Sequence, residues 1–179
     1  MTAPSDPSDR PRALFVTDRL RVRVLEDWDV DGLQTVYGDE SAMRFVDDGR
    51  AITREECERW LEVTRSNYER RGYGMFALES LASGELVGYC GLVHPGGQLE
   101  VEVKYALRRG MWGRGLATEA VRGLLQYAQR RHGIEAVIAT LDARNGASRR
   151  VLEKCGFTAG ELRPGSFELL MRCSLGEGI

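Results

Sequence analysis

Apolar residues follow a period of two in some stretches of the chain and a helical period in others. Leu20-Arg-Val-Arg-Val-Leu25 alternates apolar and charged positions, which predicts a half-buried strand. Asp27 and Asp29 then offer a helix start running towards Tyr37, and 41–50 reads as a mixed loop holding Met43 and Phe45. Thr53-Arg-Glu-Glu56 has the form of a capping box, so a helix carrying Cys57, Trp60, Leu61 and Tyr68 begins there and stops near Gly72. Three strand-like runs follow, 74–81, 85–93 and 99–107, joined at Ala82-Ser-Gly84 and Pro95-Gly-Gly97, and their spacing predicts an antiparallel meander. In the third run Val101, Val103, Tyr105 and Leu107 share one face, while Glu100, Glu102, Lys104 and Ala106 share the other.

The helical period then takes over. Gly110-Met-Trp-Gly-Arg-Gly115 leads into a long helix with Leu116, Ala120, Val121, Leu124, Leu125 and Ala128 on one side, ended by Gly133. A short apolar strand at 135–141 is followed by a helix that starts at Asn145, carries Ala147, Val151, Leu152 and Cys155, and closes at Gly156. Runs 157–162 and 167–173 are final strands around a Pro164-Gly165 turn. The pattern predicts an α/β (α+β) fold of about seven strands and about four helices, mostly antiparallel, with a βαβ unit in its second half.

Composition narrows the class. The 179 residues predict one domain, and the 42% hydrophobic and 29% charged residues argue against disorder. A net charge of -2, with basic and acidic residues interspersed, gives no electrostatic reason to expect nucleic-acid or membrane-surface binding. No apolar run approaches the ~20 residues a membrane span needs. The stretch before Pro11 lacks the apolar core and basic start of a secretory signal. Cys57, Cys90, Cys155 and Cys173 form no Cys-x-x-Cys pair, which suits neither a zinc site nor a disulfide framework and reads as reduced thiols of the cytoplasm.

Gly113-Arg-Gly115 lies between a strand and a helix, where free backbone N–H groups and the helix dipole favour an anion. A Walker A loop fails because Leu116 follows Gly115, and a Rossmann fingerprint fails because Thr118 stands where the third glycine belongs. A diphosphate cradle fed by an antiparallel strand and a ligand-free connection both remain open on the glycines alone.

Val101-Glu-Val-Lys-Tyr-Ala-Leu107, Trp112-Gly-Arg-Gly-Leu-Ala-Thr-Glu-Ala120 and Asn145-Gly-Ala-Ser-Arg-Arg-Val-Leu-Glu-Lys-Cys-Gly-Phe157, in this order, resemble the GNAT superfamily of N-acetyltransferases. Within it, Thr17-Asp-Arg-Leu-Arg-Val-Arg23 and Thr53-Arg-Glu-Glu-Cys-Glu-Arg-Trp60 look like the ribosomal-protein-alanine acetyltransferase (RimJ/RimL) branch. The resemblance spans about 17–173. It implies a flexible tail at 1–12 and a single N-acetyltransferase domain at 13–175, splayed between the strands 99–107 and 135–141. It implies acetyl-CoA as cosubstrate, no metal, and a primary amine as acceptor, either a protein N-terminus or a small molecule such as a polyamine, amino acid or antibiotic. It is compatible with a homodimer. A non-catalytic acyl-CoA sensor is the alternative.

The resemblance also implies roles. Backbone groups of Tyr105, Ala106 and Leu107 would pair with the pantetheine amides. Met111, Trp112, Gly113, Arg114, Gly115, Leu116, Ala117 and Thr118 would hold the diphosphate, and Asn145 would contact the pantetheine arm. Glu102 would be either a general base acting through water or a substrate contact, with Lys104 on its own face lowering its basicity. A backbone N–H near Leu107 would stabilise the oxyanion. Leu152 stands where many members carry a thiolate-protonating Tyr, so Ser148 is the candidate acid, with proton pick-up from water as the alternative. Gly110 replaces a common Gln or Arg. Met43 and Phe45 would border the acceptor. Cys90 reads as core packing, and His94 and His132 as neither a metal pair nor part of a triad.

Overall fold

The computed structural model describes residues 11–45, 49–162 and 165–176. The expected tail up to residue 10 and Pro164 of the last turn lie outside these. Five helices and eight strands are assigned among the described residues. The first half runs β1 (Phe15–Val16), β2 (Leu20–Arg23), α1 (Asp29–Tyr37), α2 (Glu40–Met43), α3 (Arg54–Arg71), β3 (Met75–Ser80) and β4 (Leu86–Val93). The second runs β5 (Glu102–Leu107), α4 (Leu116–His132), β6 (Ala136–Asp142), α5 (Gly146–Lys154), β7 (Thr158–Leu162) and β8 (Glu168–Ser174). The strands form one sheet in the order β1-β2-β3-β4-β5-β6-β8-β7, and every neighbouring pair is antiparallel except β5 and β6.

Local chemistry sets the helix ends. Thr53 and Glu56 form the full capping box, and Gly72 closes α3 in a left-handed conformation with φ 79°. Asn145 caps α5 by accepting from the Ser148 N–H. Asp29 opens α1 without capping it, because its buried carboxylate pairs with Arg23 instead. The predicted loop after Asp39 begins as a four-residue helix, since the Asp39 side chain accepts from the N–H groups of Ser41 and Ala42. The third meander strand starts at Glu102 rather than at 99. Leu99, 95% exposed, packs against nothing.

Two apolar layers sandwich the sheet. Phe76, Leu78, Cys90, Leu92, Val103 and Leu107 pack on one face against Val121, Leu124 and Leu125 of α4 and Leu152 of α5. Met75, Ala77 and Tyr89 pack on the other against Leu33, Val36, Met43, Cys57 and Leu61 from α1, α2 and α3. β3 is therefore buried on both faces, as an inner strand requires. All four cysteines are buried and free, and Cys90 sits wholly within the core.

Candidate active site

The functional candidates gather where β5 and β6 part. Their one paired position is Glu102 with Ile138, and the Ile138 N–H reaches the Val101 carbonyl at 2.8 Å. Beyond it the two strands diverge. On the other side β5 stays bonded to β4, and the Arg108 N–H donates to the Val87 carbonyl at 2.9 Å. Strand alternation then directs the amides of Glu102, Lys104 and Ala106 at β4 and those of Val103, Tyr105 and Leu107 at the β6 side, where Val103 completes the parallel pairing with Ile138 and Tyr105 and Leu107 face the gap. Ala106 is thereby corrected: its backbone pairs with Tyr89 and is not offered to a ligand. The Leu107 carbonyl accepts from the Trp112 indole N–H at 2.8 Å, so that Trp112 ties the following turn to the end of the strand.

The turn itself has the form of an anion cradle. Gly113 and Gly115 both have positive φ, 73° and 77°, which glycine adopts without steric cost. Gly115 caps α4 with no side chain, so the first-turn N–H groups of Leu116, Ala117 and Thr118 point outward without an intrahelical acceptor. Met111 packs against the core below the turn, and the Arg114 side chain is exposed above it. Arg19, from the turn between β1 and β2, fastens the cradle from outside. Its guanidinium donates to the Arg114 carbonyl at 2.9 Å and pairs with Glu119 at 2.6 Å. Glu119 also accepts from the Thr17 hydroxyl at 2.6 Å and the Arg19 N–H at 2.7 Å. Burial pushes the Glu119 carboxyl up, but these donors outweigh it and hold it below the ordinary carboxylate value. Arg19 and Glu119 were quoted in the resembling motifs but given no role, because their meeting joins positions 100 residues apart.

Glu102, the candidate base or substrate contact, is 2% exposed. Lys104 pairs with it at 2.7 Å, as the shared face predicts, and the Gln98 amide donates to its second oxygen at 3.2 Å. The Thr140 N–H reaches it at 3.2 Å, and the Thr140 hydroxyl donates to it as well. The Lys104 side chain is about a third exposed although β5 is an inner strand, so this part of the sheet is not roofed by a helix.

Across the gap, Ser148 lies in the first turn of α5, with its hydroxyl oxygen 2.7 Å from the Tyr105 phenol. Burial pushes that phenol up to about 12, against the opposing pull of its bond to Ser148. Asn145 spends its side-chain oxygen on the Ser148 N–H at 3.0 Å, which leaves its amide NH2 to reach outward. Met43 is corrected as a substrate contact: at 2% exposure it is a core residue facing Leu33 and Tyr89. Phe45 stays near the surface, 5.1 Å under the Arg44 guanidinium and 6.0 Å from that of Arg144. Arg144 lies 4.1 Å over the Phe167 ring and is anchored by Asp142 at 2.6 Å. Three loops thus meet at one rim beside the C-terminal end of β6. No group of three or more His, Cys, Asp or Glu side chains suited to a metal occurs among the described residues, nor is any helix there long and apolar enough to cross a membrane.

The model of the acetyltransferase (GNAT) domain matches residues 19–158. The protein YkkB of Bacillus subtilis is 33% identical over 145 residues, covering 79% of this chain and 83% of its own. A solved structure from Bordetella pertussis, of the GnaT acetyltransferase family, superposes with a TM-score of 0.72 at 25% identity, covering 89% of this chain and 98% of that one. RimL, a ribosomal alpha-N-protein acetyltransferase in complex with coenzyme A, shares the fold with a TM-score of 0.74 at 18% identity, covering 91% and 97%.

Proposed function

Since this chain belongs to the acetyltransferase (GNAT) family, we propose that the gap between β5 and β6 takes the thioester arm of acetyl-CoA, and that acetyl passes from it directly to a primary amine. One observation carries the reading. The gap-facing amides of Tyr105 and Leu107 lead, through the turn pinned by Trp112, to the uncapped start of α4, so one extended molecule can lie along all of them. The cradle tests the fit, because at Gly115 a side chain would stand in the anion's place at a positive φ.

The N–H groups of Leu116, Ala117 and Thr118, with Gly113, Arg114 and Gly115, hold the diphosphate; Met111 and Trp112 shape the turn before it. The amides of Tyr105 and Leu107 extend the sheet by one ligand strand. The Asn145 amide holds the same arm from the α5 side. Acetyl-CoA supplies the activated acyl group. The Leu107 N–H faces the carbonyl oxygen on which negative charge develops. The carbon–sulfur bond breaks as the carbon–nitrogen bond forms. The Ser148 hydroxyl gives its proton to the leaving sulfur, and the amine loses its own to water.

Among acceptors, the RimJ/RimL-like motifs favour a protein N-terminal amine over a polyamine, an amino acid or an antibiotic. Binding without transfer is the second reading. It is favoured by Leu152, buried to 1%, where many members of the superfamily carry a Tyr acid. Release of free thiol from acetyl-CoA, followed with N-terminal Ala and Ser peptides, spermidine and free amino acids, decides between them. Turnover on any one amine supports transfer and names the acceptor class. Tight CoA binding with no turnover on the panel supports the sensor.

A further inference from the structure

Glu102 sits at the fork of the sheet, and its bonds there are those of a strand rather than of an acid–base group. The Ile138 N–H makes the last backbone rung from β6 to β5, at 2.8 Å to the Val101 carbonyl. Two residues on, the Thr140 N–H points the same way by strand alternation. In a continued parallel ladder it would bond to the Val103 carbonyl. It bonds instead to Glu102 Oε1 at 3.2 Å, and the Thr140 hydroxyl joins it on the same oxygen. Lys104 Nζ stands 2.7 Å from that oxygen and 3.1 Å from Thr140 Oγ1, while the Gln98 amide takes the other oxygen at 3.2 Å.

We infer that Glu102 is a positioning residue: its carboxylate takes the N–H that would make the next backbone rung at the fork, so the gap opens after one paired position and the Tyr105 amide stays available to a ligand. This rests on the reading that the gap takes the thioester arm. A buried N–H must have an acceptor. With Glu102 present that acceptor is a side chain, and β6 beyond Ile138 can stand away from the Val103 carbonyl. Without it, the Thr140 N–H is satisfied only if β6 zips onto Val103 and narrows the gap. Four protein donors face the carboxylate, two from Thr140, one from Lys104 and one from Gln98. Lys104 is held at the same time, with its ammonium over the open part of the sheet.

The test is calorimetric binding of acetyl-CoA to the full chain, with the melting temperature of each variant recorded alongside. Glu102→Gln keeps an oxygen for Thr140 and removes the proton affinity; its affinity is expected within about threefold of the wild type. Glu102→Ala removes the oxygen, and a loss of about tenfold or more is expected. Thr140→Val deletes only the hydroxyl donor and weakens binding by a smaller factor, which keeps the question open to measurement if the Ala variant does not fold. A base acting on the acceptor would leave acetyl-CoA affinity untouched. Equal affinity across wild type, Ala and Val variants therefore overturns the inference, as does a Gln variant as weak as the Ala variant. Absence of acetyl-CoA binding by the wild type overturns the functional reading itself, a result distinct from either.

Discussion

The phenolic oxygen of Tyr105, projecting from β5, stands 2.7 Å from the hydroxyl oxygen of Ser148 on α5 and 3.2 Å from the Ser148 carbonyl. The two strands' divergence leaves room for this pair to bridge the layers. Tyr105 is half-buried and its pKa is pushed up to about 12, so it is a neutral donor across the neutral pH range. When Tyr105 donates to the Ser148 oxygen, the Ser148 proton is free to point elsewhere. Ser148→Ala is expected to lower kcat by about a hundredfold or more, within the range of a lost general acid, and to leave acetyl-CoA affinity nearly unchanged. Tyr105→Phe is expected to lower kcat by less and to leave any alkaline limb below pH 10 in place, because Tyr105 does not titrate there. A pH profile of kcat for both variants checks this. An unchanged kcat in Ser148→Ala removes Ser148 from the chemistry.

Gly115 combines a positive φ with a position at the mouth of the cradle. Asn and Asp tolerate that conformation better than other residues, so Gly115→Asn and Gly115→Asp make a matched pair of equal shape and different charge. Like charges about 4 Å apart near a protein surface repel by about 4 kcal/mol. Gly115→Asp is therefore expected to lose CoA affinity by at least about a hundredfold, and Gly115→Asn by far less. Calorimetry on both, with circular dichroism to show that each is folded, separates charge from shape. Equal affinities in the two would remove the diphosphate from this turn.

The long periodic elements were legible in the sequence because their own side chains carry the signal: Val121, Leu124, Leu125 and Ala128 of α4 are all buried, as their spacing requires. β1 and α2 were not, for two and four residues are too few to show a period. Met43 was misread for the same reason, since an apolar residue in a presumed loop looks available when it is packed in the core. Glu102 shows a different failure. Alternation assigned it correctly to the face shared with Lys104, yet exposure on an inner strand depends on what covers that face, and Thr140, which completes its surroundings, is 38 residues away. The cradle glycines were legible because glycine at positive φ is a local requirement. The Arg19–Glu119 brace behind them is a tertiary contact and left no local mark.

That brace makes a prediction with a sign. The Glu119 carboxyl lies below its ordinary value of 4.5 because the Thr17 and Arg19 donors outweigh the effect of burial. A depressed acid contributes its stabilisation in full above the unfolded value and loses it as the pH falls through the folded one. The cradle should therefore hold from neutral pH down to about 4.5 and loosen below it. Glu119→Gln frees the Arg19 guanidinium from its ion pair, and an increase of about three- to tenfold in the Kd for CoA at pH 7 is expected, in line with about 1 kcal/mol for a partly exposed pair. Wild-type affinity in this variant would show that the brace does not shape the cradle.

Arg23 joins Asp29 at 2.7 Å and Glu79 at 2.7 Å with its side chain 3% exposed, linking α1 to β2 and β3. Burial presses its pKa down, but the two carboxylates more than reverse this and raise it. Removing one partner of a buried ionic group costs about 3–5 kcal/mol, because the remaining charges are left uncompensated. Arg23→Met is expected to lower Tm by about 10 °C, at about 2–4 °C per kcal/mol for a chain of this size. Differential scanning calorimetry measures it, and a Tm within 2 °C of the wild type would mean that α1 is held by its apolar face alone.

The rim formed by Phe45, Arg144 and Phe167 allows the proposed acceptor contact to be tested separately from the proposed cofactor contacts. Phe167 is 59% exposed, with the Arg144 guanidinium 4.1 Å above its ring. The arrangement is fixed from below, where the Ala143 N–H donates to the Phe167 carbonyl at 2.7 Å and Asp142 grips Arg144 through both oxygens. An exposed ring in such a stack contributes little to folding, and Phe167→Ala should change stability by no more than about 0.5 kcal/mol. Its effect on function should be larger and one-sided. Where a bound amine or peptide rests on the ring, losing it costs about 0.5–1 kcal/mol of cation–π or packing energy. That corresponds to an acceptor KM about two- to fivefold higher, while the KM for acetyl-CoA stays at the wild-type value because the cradle and the β5 amides are untouched. Steady-state kinetics with both substrates varied reads the two constants independently. A rise confined to acetyl-CoA would place the acceptor away from this rim and return Phe45 to a surface role.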